Sequence, residues 1–115
     1  MKKLIVSSVL AFITFSAQAA AFQVTSNEIK TGEQLTTSHV FSGFGCEGGN
    51  TAPSLTWSGA PEGTKSFAVT GYDPDAPTGS GWWRWTVANI PATVTYLPAD
   101  AGRRDGTKLP AGAVQ

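Results

Sequence analysis

From residue 22 onward, apolar and polar residues alternate in short runs separated by turn-forming residues, the pattern of half-buried β-strands. Phe22-Gln23-Val24-Thr25 is the first such run. Glu33 to Phe41, rich in Thr, Leu and Val, predicts a strand. Gly43 to Pro53 carries four glycines together with Asn50 and Pro53 and predicts a long loop. Ser54-Leu55-Thr56-Trp57 alternates again and predicts the next strand. Pro61 to Lys65 is a turn. Ser66 to Tyr72 has Phe67 and Val69 on one face and Ala68, Thr70 and Tyr72 on the other. Trp83 to Ile90 predicts a partner strand, with Trp83, Trp85 and Val87 on one face and Arg84, Thr86 and Ala88 on the opposite one. Pro91 ends it, and Thr93 to Tyr96 predicts a brief edge pairing. From Pro98 to Gln115 the alternation stops and the chain reads as loop.

No stretch shows a helix of useful length, a heptad or an internal repeat. The fold class expected is all-β, with a sandwich as its architecture. Five or six strands are few for two packed sheets. A chain whose last part is loop is expected to be the N-terminal portion of a larger, C-terminally truncated domain.

The first residues have a different character. Lys2-Lys3 precedes an apolar stretch from Leu4 to Phe15, and Ala17-Gln18-Ala19 fits a small-x-small cleavage site. This reads as a secretory signal peptide over residues 1–19, with cleavage possible up to residue 21. The apolar stretch is shorter than the roughly 20 residues a membrane span needs. Residues 20–115 then form one domain, expected in the periplasm with no stable membrane insertion once the signal is removed.

Composition narrows the function. Eight basic and eight acidic residues give a net charge of zero, which argues against a nucleic-acid surface or a polybasic membrane patch. Cys46 is the only cysteine. In an oxidising compartment cysteines usually pair, so Cys46 is either a small buried residue or one whose partner is missing from this chain.

Candidate chemistry concentrates between Asp73 and Pro91. Asp73-Pro74-Asp75-Ala76-Pro77 places two carboxylates in a turn stiffened by prolines. Gly81-Trp82-Trp83-Arg84-Trp85 follows, then Asn89-Ile90-Pro91. The two carboxylates allow several roles: cation ligands short of the further oxygens calcium needs, a general acid–base pair, orienters of a neighbouring cation, or acceptors for backbone amides in a solvated turn. Arg84 is the natural fork for a phosphate or carboxylate, or an exposed arginine. Trp82, Trp83 and Trp85 suit a stacking wall or a β core. His39, the only histidine, has no partner at metal-ligand spacing and reads as structural. No nucleophile elbow, P-loop, Gly-x-Gly-x-x-Gly or Cys-x-x-Cys occurs. The residues themselves therefore give little evidence of an enzyme, and neither a metal site nor a cofactor is expected.

The combination of Asp73-Pro74-Asp75-Ala76-Pro77, Trp83-Arg84-Trp85-Thr86-Val87 and Asn89-Ile90-Pro91 resembles the phosphatidylethanolamine-binding protein family. So does Asn50-Thr51-Ala52-Pro53-Ser54-Leu55-Thr56-Trp57 upstream. With its leader, the chain is similar to periplasmic members of the bacterial Raf kinase inhibitor-like branch. The resemblance implies a β-sandwich with a small pocket for phosphate-like head groups, in proteins that act mainly as binding or inhibitory modules. It implies ligand-binding roles for Asp73, Pro74, Asp75, Pro77, Trp83 and Arg84, and a partner that is a phosphate-bearing small ligand or a protein. Arg84 stands where the family usually has His, and Ala52 where it usually has Ser. The family's later pocket-closing loop and strand are not in this chain, and in periplasmic relatives that loop supplies a plausible cysteine partner for Cys46. The alternative reading is a secreted protein that contacts envelope or host proteins through its surface, with a vestigial pocket.

Overall fold

The structure, a computed structural model, describes residues 20–115. The expected signal peptide of residues 1–19 lies outside the described residues. The described residues form five strands: β1 (Gln23–Thr25), β2 (Leu55–Ser58), β3 (Ser66–Asp73), β4 (Trp82–Pro91) and β5 (Tyr96–Leu97). They form an antiparallel three-stranded sheet in the order β1-β2-β5 and an antiparallel β3-β4 pair. The class is all-β.

One apolar cluster draws on both sheets. Trp57 of β2, Val87 and Ile90 of β4, Leu97 of β5 and Ala101 are buried together. Leu55, Phe67, Val69, Trp85 and Leu109 pack around them. Burial of this kind contributes roughly 25 cal/mol for each Å² of apolar surface removed from water. The cluster holds β4 against the β1-β2-β5 sheet although β4 pairs with neither β2 nor β5.

Two irregularities in β4 set its geometry. From Phe67↔Ile90 to Val69↔Val87, β3 advances two residues while β4 advances three. The extra residue lies at Ala88-Asn89, and Asn89 adopts φ 57°. Asn tolerates this left-handed conformation better than most residues, and its side-chain amide donates to Gly112 O at 2.7 Å. The bulge reverses the inside–outside alternation, which is how Val87 and Ile90, three positions apart, are both fully buried.

The second irregularity falls between Gly71↔Trp85 and Tyr72↔Trp83, where Arg84 is the additional residue. Strict alternation predicted Trp83 and Trp85 on one face. The bulge separates them: Trp85 packs against the core, while Trp83 is 60% exposed and its ring lies 4.8 Å from that of Tyr72.

Three further expectations change. Glu33 to Phe41 is not a strand: it contains a single 3-10 turn, Thr37–His39, flanked by extended chain. Thr37 O and Ser38 O bond to the Gly49 and Thr51 amides of the following loop and not to a neighbouring strand. The edge pairing expected at Thr93 to Tyr96 falls at Tyr96–Leu97, because Pro91 to Val94 closes a turn first. Cys46 is exposed and not a buried filler.

Residues 98–115 run through consecutive turns closed by Ala101 N to Pro98 O, Gly106 N to Arg103 O, Leu109 N to Gly106 O and Ala113 N to Pro110 O. The segment is loop, as its composition predicts, but it is docked. Val114 and Ala88 exchange two backbone hydrogen bonds at 2.8 and 3.0 Å, which covers part of the free edge of β4.

Candidate functional site

The turn between β3 and β4 is built to hold one carboxylate. Asp73 ends β3, and Pro74 fixes the next φ. Asp73 Oδ1 accepts the Asp75 amide at 3.1 Å, an Asx turn. Thr78 Oγ1 donates to Gly81 O at 2.6 Å, and the Tyr72 hydroxyl donates to Ser80 O at 2.5 Å. Gly81 sits at φ 73°, and a Cβ there would collide with the Tyr72 hydroxyl. These bonds pin the far end of the loop beside the start of β4. Pro74, Asp75 and Pro77 are exposed on the turn, while Ala76 is buried beneath it.

Arg84 reaches back across the bulge to Asp73. Its Nε and Nη2 donate to Asp73 Oδ2 at 3.1 and 2.7 Å. This fork, with the Asp75 and Ala76 amides, holds the Asp73 carboxyl below its ordinary pKa despite the opposing effect of desolvation. Asp73 is therefore ionised at neutral pH, and the guanidinium is oriented by it.

The other side of Arg84 lines an open groove of about 370 Å³ with Trp85, Thr86, Gly102, Arg104 and Gln115. Trp85 Nε1 donates to Gln115 Oε1 at 3.2 Å, and Gln115 Nε2 donates to Arg103 O. Gly102 matters here: a Cβ on it would stand 3.1 Å from the Trp85 ring and 3.2 Å from Ala52 Cβ. Glycine lets the backbone pass close to the indole, and Ala52 lies beside that contact.

Of the residues expected to bind ligand, Asp73 and Arg84 are brought together; Asp75 meets Asp73 only through its backbone amide, and Pro74 and Pro77 lie on the same turn. Trp83 does not line the Arg84 groove; it pairs with Tyr72. Sequence reasoning missed Arg104, Gly102, Gln115 and Tyr72. The first three lie in the aperiodic C-terminal segment, where no spacing rule points to a site. Tyr72 reads from the alternation only as a strand residue, although its place next to Asp73 is a signal. Among the described residues, no group of three His, Cys, Asp or Glu side chains is placed to hold a metal ion.

An arginine oriented by a proline-stiffened acidic turn thus stands beside a groove on a small all-β domain. The chain belongs to the phosphatidylethanolamine-binding protein family, whose model matches residues 25–115. It is 92% identical over 115 residues to the UPF0098 protein YbcL of Escherichia coli K12, covering all of this chain and 63% of that protein. It is 54% identical over 77 residues to the UPF0098 protein YbhB of the same organism, covering 67% of this chain and 49% of YbhB. A UPF0098 protein of Aquifex aeolicus is 36% identical over 94 residues, 82% of this chain and 52% of that protein. The chain thus spans between about half and 63% of the length of these relatives. The crystal structure of E. coli YbcL, described as a new member of the mammalian PEBP family, superposes with a TM-score of 0.80 over 84% of this chain and 58% of that one, at 92% identity.

Proposed function

We propose that this chain is an exported binding module for small phosphate-bearing anions and not an enzyme. The observation that carries the reading is the Asp73–Arg84 fork, which holds a guanidinium in one orientation beside an open groove. A preorganised guanidinium loses less freedom on binding an oxyanion than a mobile one. Arg84 stands where the family usually has His and presents a planar guanidinium fork in its place. Asp75 and Trp83 frame the turn, and Pro74 and Pro77 limit its motion. Family membership supports a binding role. The basic pair Lys2-Lys3, the apolar stretch after it and the Ala17-Gln18-Ala19 motif support export to the periplasm. Among the described residues no helix is long and apolar enough to cross a membrane.

The reading is tested by calorimetric titration of the full chain with inorganic phosphate and phosphoethanolamine. Saturable binding that is lost in Arg84→Gln supports it. Equal heats from the parent chain and from Arg84→Gln would contradict it.

One observation favours a second reading, contact with envelope or host proteins through the surface. Phe44 is fully exposed, and its ring lies 5.8 Å from that of Phe41 in the loop that carries Cys46. Exposed aromatic pairs of this kind are common at protein interfaces. Recovery of a specific partner from envelope extract by the parent chain, and its loss in Phe44→Ser, supports this reading. Retention of that partner by Phe44→Ser counts against it.

A further inference from the structure

The basic side chains near the groove are not equivalent. Arg103 is held by Asp100 at 3.2 Å and by Asp105 at 3.4 Å, and these acids raise its pKa further. Lys108 lies 3.6 Å from Asp100. Arg84 is held by Asp73. Arg104 lines the same groove as Arg84, yet among the described residues it makes no ion pair. The chain spends its nearby acids on Arg103 and Lys108 and leaves Arg104 uncompensated.

The donor count sharpens this. A guanidinium has five N–H donors, and Asp73 takes one from Nε and one from Nη2 of Arg84. Among the described residues three remain on Arg84, and all five remain on Arg104. The two come from different segments, one from the β4 bulge and one from the turn series after β5. A planar carboxylate presents both of its oxygens in one plane. A tetrahedral oxyanion presents oxygens in several directions and can take a fork from each guanidinium. The Trp85 ring, fixed by Gln115, forms one wall of the groove for the body that carries the anion.

We infer that Arg104 is a second anion-binding residue, and that the groove takes a tetrahedral phosphate-type oxyanion bridged between Arg84 and Arg104. The inference deepens the anion-binding reading and rests on it.

The test is a set of titrations on the full chain, read by the indole N–H signal of Trp85. Inorganic phosphate, phosphoethanolamine and glycerophosphoethanolamine distinguish free phosphate, a monoester and a lipid head group. Acetate is the planar control. The parent chain is expected to bind at least one phosphate probe about tenfold more tightly than acetate. Arg104→Gln, an exposed change that leaves the core untouched, is expected to weaken phosphate binding about tenfold, the loss expected for a hydrogen bond to a charged group. Arg104→Lys is expected to recover part of it. If Arg84→Gln abolishes binding while Arg104→Gln binds as the parent does, the two-guanidinium site is wrong and the anion-binding reading survives. Acetate binding equal to phosphate also overturns the inference. If the parent chain binds none of the three phosphate probes, both the inference and the reading beneath it fail.

Discussion

Arg84 donates through Nε and Nη2 to a single oxygen of Asp73, and it does so from the extra residue of a β-bulge. In a regular ladder the residue between Trp83 and Trp85 would take the opposite face from both. The bulge gives it a position of its own, turned to the end of β3. A classic use of such bulges is to re-aim one side chain at a site. Here it ties the acidic turn to the groove through one guanidinium.

Replacing Arg84 by Lys separates charge from geometry. Lysine keeps the charge but lacks the planar fork. Arg84→Lys is expected to fold, to let the Asp73 pKa rise toward its ordinary value, and to bind phosphate about tenfold more weakly. A pH titration of the Asp73 carboxyl carbon and a phosphate titration read the two effects. Unchanged affinity with an altered Asp73 pKa would show that charge alone suffices.

Stability should fall in acid in a way that specific residues control. The folded-state pKa of Asp73 lies below its ordinary 3.8, chiefly through the Arg84 hydrogen bonds. That of Glu28 lies below its ordinary 4.5, chiefly through the Ser54 hydroxyl, which donates at 2.6 Å. A depressed carboxyl pKa stabilises the fold above the ordinary value, and the contribution is lost as pH falls through the folded value. Thermal unfolding midpoints of the parent chain should therefore drop between about pH 5 and pH 2. Asp73→Asn and Glu28→Gln should each flatten that drop. Both carboxylates lie near the surface, so the effect should shrink in high salt.

The bulge at Asn89 is predicted to be a stability determinant. Asn89→Val places a β-branched residue at φ 57° and removes the bond to Gly112 O. The cost expected is about 1–3 kcal/mol, read as a lowered urea midpoint with unchanged slope. Asn89→Gly should lose less, because it removes the hydrogen bond but not the backbone tolerance. If Val at 89 unfolds at the same urea concentration as Asn, the bulge is not under strain.

Cys46 should behave as an accessible thiol. It lies in an exposed loop next to Phe44, where Gly43 and Cys46 exchange two backbone hydrogen bonds. Complete modification by a disulfide reagent without denaturant is the expected result. Protection until unfolding would mean that the loop folds over the sulfur.

The sequence disclosed the fold class because alternation survives wherever a strand has one wet face, as in Phe67, Val69 and their neighbours on β3. A dense run of prolines and tryptophans singled out Asp73 and Arg84, which the structure pairs. The sequence misplaced Trp83 because a bulge is one residue long and leaves no periodic trace. It missed the turn at Thr37–His39 because Thr and Val favour strands only where a neighbouring strand accepts their backbone bonds. Arg104 did not stand out for another reason: which acids its neighbours Arg103 and Lys108 occupy is a matter of three-dimensional pairing.

The most direct test of the central claim follows the side chains themselves. A ¹⁵N correlation spectrum of the chain, with the Arg84 Nε–H and Trp85 indole N–H resonances assigned, is recorded as inorganic phosphate is added. Dispersed amide peaks and a saturable shift of both resonances on one binding curve are expected in the parent chain, with no shift of the Trp85 indole N–H in Asp73→Asn/Arg84→Gln. Well-dispersed peaks with both resonances unmoved through millimolar phosphate would contradict it.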